Sequence, residues 1–488
     1  MTLFKQLAGE TLVYGVSHVL GKVLNYVLIA FYLTRKLAGL QSEYAIYNEL
    51  YFYVAILIII LGLRMETTFF RFGSDVEDYK KAFSNGLATM MSTGLLWFIP
   101  AFIFSDQIAA FLSYPDKGIY IRILSALVAI DLIIAMPLAR YRLDQRPVRF
   151  ALLQTGSIIL NIALVLFFLE ICPYMGWTLW RAEDILMYVF IGNLIARVIL
   201  LIVLLPNVVK LGWHFDAGIW RKMIWYAWPL VLVGLAGVIN QSSYIFLQKY
   251  FLSDDILQNL TTGGIYAAAA KIALLMNLFV IAYNFAAEPF FFKQARRKDA
   301  TYIYAQMAQA FSWIAALIML VLLLFLDLFE YIVDATYRDT MYVVPIILVG
   351  YYFLGLYYNL AIWYKVTNKT IYGALISTIG TAVTIIVNLW LLPHIGVVAS
   401  AYAALCCYFV MSLLCFAIGR NHLRVPYAMW KIFSGLFLVI FIYVGFNAVA
   451  PELSKWISWI VRFGLLGLFF MVFWITERKK VVEWLQYK

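Results

Sequence analysis

Three basic residues fall deep inside long apolar stretches of the chain: Lys22, Arg197 and Lys271. Burying a charge in hydrocarbon is costly, so such a residue usually faces protein or a water-filled cavity. In a low dielectric these cations attract anions strongly, and phosphate suits both an ammonium and a guanidinium. We therefore predict that these cations line a cavity for an anionic headgroup, such as one that carries phosphate.

Two acidic residues accompany these cations. Asp131 is central in the fourth apolar stretch, and Glu288 closes the eighth. Both are candidates for ion coupling. Asp131 and Arg197 either neutralise each other across two helices or take part in transport. Lys271 lies off the polar face of its own helix by a third of a turn or more, so it faces either the cavity or a helix contact.

Polar residues follow one face of the first apolar stretch. His18, Lys22 and Asn25 recur every three or four residues, which places them on the same side of a helix. The stripe is either a structural one that hydrogen-bonds neighbouring helices or the cationic wall of a cavity. A second polar wall is predicted on the seventh and eighth stretches, from Asn240, Gln241, Tyr266 and Asn277.

Composition determines the surroundings of these residues. The chain is 65% hydrophobic and 13% charged, with a mean hydropathy of +0.87, whereas soluble domains are roughly 25% charged. About fourteen stretches are long enough to cross a bilayer. Only helices leave no backbone polar group unpaired at the lipid surface, so an all-α polytopic membrane protein is predicted. The predicted spans are 11–33, 44–63, 84–104, 119–138, 151–170, 185–205, 224–247, 263–287, 303–326, 343–364, 373–392, 397–418, 432–449 and 456–475.

Basic residues alternate between the connections of these spans. With a cytoplasmic N-terminus, about 25 Lys and Arg lie on the cytoplasmic side and about 7 on the other. The positive-inside rule therefore predicts that both termini are cytoplasmic. The residues behind the net charge of +11 lie mainly in alternate connections, on one side of the membrane, and do not form a binding patch. This distribution argues against a nucleic-acid partner.

Enzyme motifs are missing from the sequence. It has no Walker sequence, no external connection long enough for a catalytic domain, and no metal-ligand spacing among its four cysteines. We therefore expect neither an enzyme nor a bound metal or cofactor.

Several short motifs, in order along the chain, resemble one family of transporters. They are EYAIY at 43–47, RYRLDQRPVRF at 140–150, GIYAAAAK at 264–271, EPFF at 288–291, GLYYNLAIWYK at 355–365 and NLWLLP at 388–393. With the segment 15–36, they resemble the polysaccharide and oligosaccharide flippases, especially the lipopolysaccharide (O-antigen) repeat-unit type, of the multidrug/oligosaccharidyl-lipid/polysaccharide exporter superfamily.

This resemblance implies two six-helix lobes around a central cavity. We assign residues 1–210 to the N-terminal lobe, 211–420 to the C-terminal lobe, and 421–488 to two extra helices and a cytoplasmic tail. The implied cargo is a polyprenyl-diphosphate-linked oligosaccharide, moved by alternating access from the inner to the outer leaflet of the bacterial inner membrane. For this cargo we predict Lys22 as the first diphosphate contact, Lys271 as the second and Arg197 as the third. Membrane lipid and other glycan-assembly proteins are the expected partners. The alternatives are a cation-coupled multidrug exporter of the same superfamily and a lipid II flippase.

Overall fold

A computed structural model describes residues 23–73, 77–177, 181, 184–209, 212–295, 297–367 and 369–486. Within those ranges the chain is helical and contains no strand. Thirteen of the helices described there are long and apolar enough to cross a membrane. The first predicted span, 11–33, is described only from Val23 onward. The predicted all-α polytopic fold with about fourteen helices is confirmed.

The chain divides into two compact units, the first ending at Ala267 and the second beginning at Ala268. The described start of the first unit includes a π-helical segment, Val27–Leu33, and a short turn, Thr34–Lys36. The longer helices that follow are α1 (Gln41–Gly62), α2 (Met65–Phe72), α3 (Tyr79–Ile103), α4 (Ser105–Phe111), α5 (Gly118–Leu143), α6 (Pro147–Leu166), α7 (Ile185–Val209), α8 (Ala217–Ser242), α9 (Tyr244–Phe251) and α10 (Ile256–Gln294), the last of which continues into the second unit.

Helix α5 is the centre of the first unit. It packs against α3 on one side and α7 on another, and α6 covers α7. Leu138 of α5 and Leu204 of α7 belong to a buried apolar cluster between them. Helix α8 packs on α1, α2 and α3, so in this structure it is grouped with the first unit. The lobe boundary at residue 210 stays a prediction.

The helices of the second unit are α11 (Ala300–Leu324), α12 (Val344–Leu360), α13 (Ile362–Val366), α14 (Ile371–Ile395), α15 (Val398–Gly419), α16 (Met429–Val449) and α17 (Lys455–Gln486). Helix α15 packs between α12 and α14, and α11 packs against α12, α16 and α17. At the α11–α12 contact, Gly355 faces the Phe311 ring so closely that a β-carbon would collide with it. Small residues of this kind let membrane helices approach each other.

Helix α17 is attached to the rest of its unit by polar contacts near both ends of its apolar part. Arg462 Nη1 lies 2.7 and 2.8 Å from the two carboxylate oxygens of Asp327. Farther along, Glu477 accepts a hydrogen bond from the Gln309 amide. Most large apolar side chains between these points are exposed, including Phe463 and Met471, as expected for a helix that faces lipid.

Candidate functional site

The second membrane-crossing segment is interrupted between α1 and α2 by two left-handed residues. Leu63 and Arg64 have φ angles of 46° and 52°, which costs side chains other than glycine about 1–3 kcal/mol each. The surrounding backbone remains paired, because the Leu63 amide donates to the Ile59 carbonyl and the Thr67 amide to the Arg64 carbonyl. The helical path is thus interrupted inside the apolar segment Gln41–Phe72, with backbone hydrogen bonds on both sides of the break.

Arg64 projects from this break toward α8. Gly234 of α8 leaves room for it: a β-carbon built on Gly234 would lie 2.8 Å from Arg64 Nε. Eight residues, or about 12 Å of helix, separate Arg64 from Phe72 at the end of this apolar segment. Arg64 is exposed, and among the described residues it makes no close ion pair or hydrogen bond, but its charge acts on the Glu66 carboxyl two residues away. Because a charged side chain rarely faces lipid, Arg64 is a candidate for contact with water or an anion.

Arg197 is paired. Its Nε lies 3.1 Å from Asp131 Oδ1, which joins α7 to α5 inside the first unit, and both side chains are largely buried. Of the two alternatives left open by the sequence, mutual neutralisation is the arrangement present in this structure. A carboxylate at this distance cancels most of the field that Arg197 would offer a phosphate. Arg197 as the third diphosphate contact, and Asp131 in ion coupling, stay predictions.

Lys271 lies in the part of α10 that belongs to the second unit. Its side chain is half-buried, and it has no hydrogen bond or acidic partner among the residues that the structure describes. An ammonium without a local counterion in a span is available to an anionic ligand. Lys271 therefore stays the second predicted diphosphate contact.

Glu288, near the end of α10, is engaged by a cation of the same unit. Its Oε1 lies 2.9 Å from Lys365 Nζ of α13. The pair links the motifs at 288–291 and 355–365. It is partly exposed, so solvent screens it and its contribution to stability is small. A role of Glu288 in ion coupling stays a prediction.

The predicted cavity-lining residues occupy different environments. Asn240, Tyr266 and Asn277 are buried, whereas Asn25 and Gln241 are exposed. The Tyr266 ring packs against Tyr244, with ring centroids 4.9 Å apart. Their role in lining a cavity stays a prediction. Lys22 and His18 lie outside the described residues.

A buried ion pair that the sequence did not predict lies at the other end of the first unit. Glu49 of α1 and Lys249 of α9 face each other with neither side chain exposed. The Glu49 carboxylate also accepts hydrogen bonds from the Tyr53 and Tyr114 hydroxyls, and Lys249 also donates to the Leu112 carbonyl. Burial, followed by the nearby Glu49 charge, raises the pKa of Tyr114 well above its usual value, so this phenol stays a donor.

Two signals in the sequence could have indicated these residues. Glu49 lies within the predicted span 44–63, and a charge inside a span is expected to have a partner. Lys249 was assigned to a connection because the predicted seventh span ended at residue 247, but helix continues through Phe251. Arg64 follows the predicted end of the second span by one residue, and Gly62 lies directly before the two left-handed residues.

Comparison with known families agrees with the motifs. Residues 7–295 match the family model described as polysaccharide biosynthesis protein, which is more than half of the chain. The chain belongs to this family. No curated protein sequence matches it significantly.

Solved structures share the fold of this family member at low sequence identity. The lipid II flippase MurJ in its inward closed conformation has a TM-score of 0.72 and 14% identity, over 95% of this chain and 99% of MurJ. An inward-facing multidrug resistance MATE family transporter of the MOP superfamily has a TM-score of 0.63 and 12% identity, over 82% and 93% of the two chains. A MATE transporter of Vibrio cholerae has a TM-score of 0.62 and 15% identity, over 87% and 97%. With the family match and the apolar helices, this fold establishes a multi-pass membrane protein of the polysaccharide biosynthesis family.

Proposed function

We propose that this protein is a flippase that moves a polyprenyl-diphosphate-linked oligosaccharide from the inner to the outer leaflet of the bacterial inner membrane. The observation that carries the proposal is the exposed Arg64 guanidinium, which projects from a break in an apolar segment and, among the described residues, makes no close ion pair or hydrogen bond, with only the Glu66 carboxyl interacting with its charge. A cation in that position favours an anionic cargo. The family match to polysaccharide biosynthesis supports a glycan on that anion.

The physical task is to carry a charged, hydrated headgroup across roughly 30 Å of hydrocarbon while its polyprenyl tail remains in lipid. Each polar group stripped of water without a partner costs roughly 2–7 kcal/mol. Cations inside the span reduce this barrier because they replace part of the lost hydration with charge-assisted hydrogen bonds. In the proposed mechanism, Lys22, Arg64 and Lys271 hold the diphosphate during alternating access, and Arg197 joins them only if Asp131 releases it.

The proposal also includes two six-helix lobes, formed by residues 1–210 and 211–420. Both termini of the chain lie in the cytoplasm. The distribution of Lys and Arg supports this orientation. It makes the α2 end of the second span cytoplasmic. The cargo would then enter from the leaflet nearest Arg64 and leave at the end of the first unit that contains Glu49 and Lys249.

A vesicle assay tests the proposal. The purified protein is reconstituted with a fluorescent polyprenyl-diphosphate oligosaccharide, and exposure of the glycan on the far leaflet is followed with a membrane-impermeant glycosidase. We expect Lys22→Ala and Arg64→Gln each to slow exposure by roughly 10- to 100-fold, which corresponds to the roughly 1.5–3 kcal/mol of a hydrogen bond to a charged group. Arg146→Gln, an exposed arginine on the same predicted face, is the matched control.

The same vesicles separate the alternatives. Movement of lipid II but not of the oligosaccharide lipid would establish the lipid II flippase. Uptake of a cationic drug in response to a sodium or proton gradient, with no glycan exposure, would establish the multidrug exporter. A normal rate in both the Lys22 and Arg64 variants would remove the proposed diphosphate contacts.

A further inference from the structure

A pocket of about 500 Å³ lies between the end of α2 and the first turns of α8, within the first unit. Its lining includes Arg71, Phe72, Arg221, Lys222, Trp225 and Tyr226. Three of these side chains are cationic, and no acidic residue lines the pocket among the residues described. This volume falls in the usual range for small-molecule sites, and the charge favours an anion.

Aromatic contacts organise the α2 side of this pocket. The Arg71 guanidinium carbon lies 4.3 Å from the centre of the Tyr226 ring. The same ring packs edge-on against Phe72, with centroids 6.1 Å apart. Stacking on the ring fixes the plane of the Arg71 guanidinium. The ring therefore orients Arg71 as one wall of the pocket.

Arg221 and Lys222 form the α8 side. Both are exposed, and neither has an ion-pair or hydrogen-bond partner in the described part of the chain. The nearest acid on their helix, Asp216, is already used: it accepts a hydrogen bond from the Ile219 amide at 2.9 Å and lies 3.7 Å from Lys81 Nζ. The hydrogen bond from Ile219 lowers the pKa of Asp216, so this helix cap stays ionised and occupied.

An exposed indole lines the pocket, and two more lie close to it in sequence. Trp225 is 69% exposed and also lines the pocket, and Trp213 and Trp228 are 59% and 57% exposed. Large exposed indoles beside a basic cluster at the end of a membrane span are typical of the headgroup layer. A ligand in this pocket is therefore at the depth of lipid phosphates, with acyl or prenyl chains beside it.

We propose that this pocket binds the phosphate group of a membrane lipid from the adjacent leaflet. The site goes beyond the proposed function, since it lies at the end of the span and not at the Arg64 break. Arg71 provides an oriented guanidinium, Arg221 and Lys222 provide the remaining charge, and Trp225 covers the glycerol or prenyl region. The phosphate can come from a bilayer phospholipid or from a phosphorylated polyprenol, because both present the same group at this depth.

Native mass spectrometry of the purified protein in detergent tests the site. The probes are phosphatidylglycerol, phosphatidylcholine of the same chain length, a polyprenyl diphosphate and inorganic diphosphate. The variant is Arg221→Gln with Lys222→Gln. Its matched control is Arg146→Gln with Arg149→Gln, two exposed arginines of the same unit and the same predicted face that do not line the pocket.

We expect the pocket variant to bind phosphatidylglycerol, polyprenyl diphosphate or both at least fivefold more weakly, and the control to bind within twofold of wild type. The lipid whose binding falls identifies the source of the phosphate.

Equal lipid binding by the pocket variant and wild type would overturn the proposal. So would binding of inorganic diphosphate as tight as that of the lipids, because the site would then recognise a soluble anion. If the double variant unfolds, the two single variants are scored in the same way. The readout is binding without transport, so its failure is separable from failure of the flippase assay.

Discussion

Lys249 Nζ of α9 lies 3.1 Å from each carboxylate oxygen of Glu49 on α1. The ammonium also lies 3.8 Å from the centre of the Tyr114 ring. Every polar group of this cluster has a partner, and water reaches neither charge. A buried pair of this kind contributes little net stability compared with apolar residues of the same shape, but it is very sensitive to loss of one partner. The pair therefore fixes the position of α9 on α1.

A double-mutant cycle measures this coupling. Lys249→Met leaves the Glu49 carboxylate buried without its cation, and we expect it to lower the free energy of unfolding by about 3–5 kcal/mol. Glu49→Gln should also destabilise, and the combination of both should recover most of the loss. Denaturant unfolding in mixed micelles, followed by tryptophan fluorescence, gives the three values. Simple additivity of the two single effects would contradict an energetic pairing.

Gly234 and Gly237 of α8 form a matched pair for the Arg64 site. A β-carbon on Gly234 would collide with the Arg64 guanidinium, whereas one on Gly237 meets nothing within 4 Å. We expect Gly234→Ala to displace Arg64 and slow glycan exposure by roughly tenfold, a loss of about 1.4 kcal/mol. Gly237→Ala should keep the wild-type rate because it changes only local backbone freedom.

Equal rates for the two glycine variants would show that the position of Arg64 is unimportant. Both purified proteins should first be shown to unfold at similar denaturant concentrations. That comparison excludes a general loss of folding as the cause of any difference.

The pairing of Asp131 with Arg197 predicts that replacing both residues restores most of the stability that is lost when Arg197 alone is replaced. Arg197→Gln alone leaves a largely buried carboxylate without its counterion, so stability should fall by about 3–5 kcal/mol. The combination Asp131→Asn with Arg197→Gln should restore most of this and retain transport, because the two charges cancel in wild type. Unfolding and vesicle assays on the three proteins check it. A stable double variant that no longer transports would show that at least one of the two charges acts in transport, Arg197 on the cargo or Asp131 in ion coupling.

Lys271 offers a test of charge inside the second unit. Lys271→Gln should slow glycan exposure by roughly tenfold or more, since a hydrogen bond to a charged group contributes roughly 1.5–3 kcal/mol. Lys271→Arg keeps the charge and should retain most of the rate. Lys298→Gln, an exposed connection residue, serves as the control. Full activity of the glutamine variant would exclude Lys271 from the cargo path.

Apolar length predicted the helices well because each membrane helix satisfies its own backbone, so its existence depends on local composition. The Asp131–Arg197 pair was one of the two alternatives that the sequence offered, because two opposite charges deep in spans have few other partners. Glu49 and Lys249 are 200 residues apart, and nothing in local sequence specifies that α9 returns to α1. The Arg64 break was missed because Leu63 and Arg64 are not residue types that favour the left-handed region, although Gly62 directly precedes them.

The two polar anchors of α17 bear on truncation of the chain. Arg462 and Glu477 are fifteen residues apart, or about 22 Å along the helix. Each anchor satisfies a group on the body of the second unit, Asp327 and Gln309 respectively. Removing the last helix would take the Arg462 guanidinium from the Asp327 carboxylate and the Glu477 carboxylate from the Gln309 amide. This C-terminal segment is therefore integral to its unit, and a shortened protein would need Asp327 replaced by a neutral residue to remain folded in a bilayer.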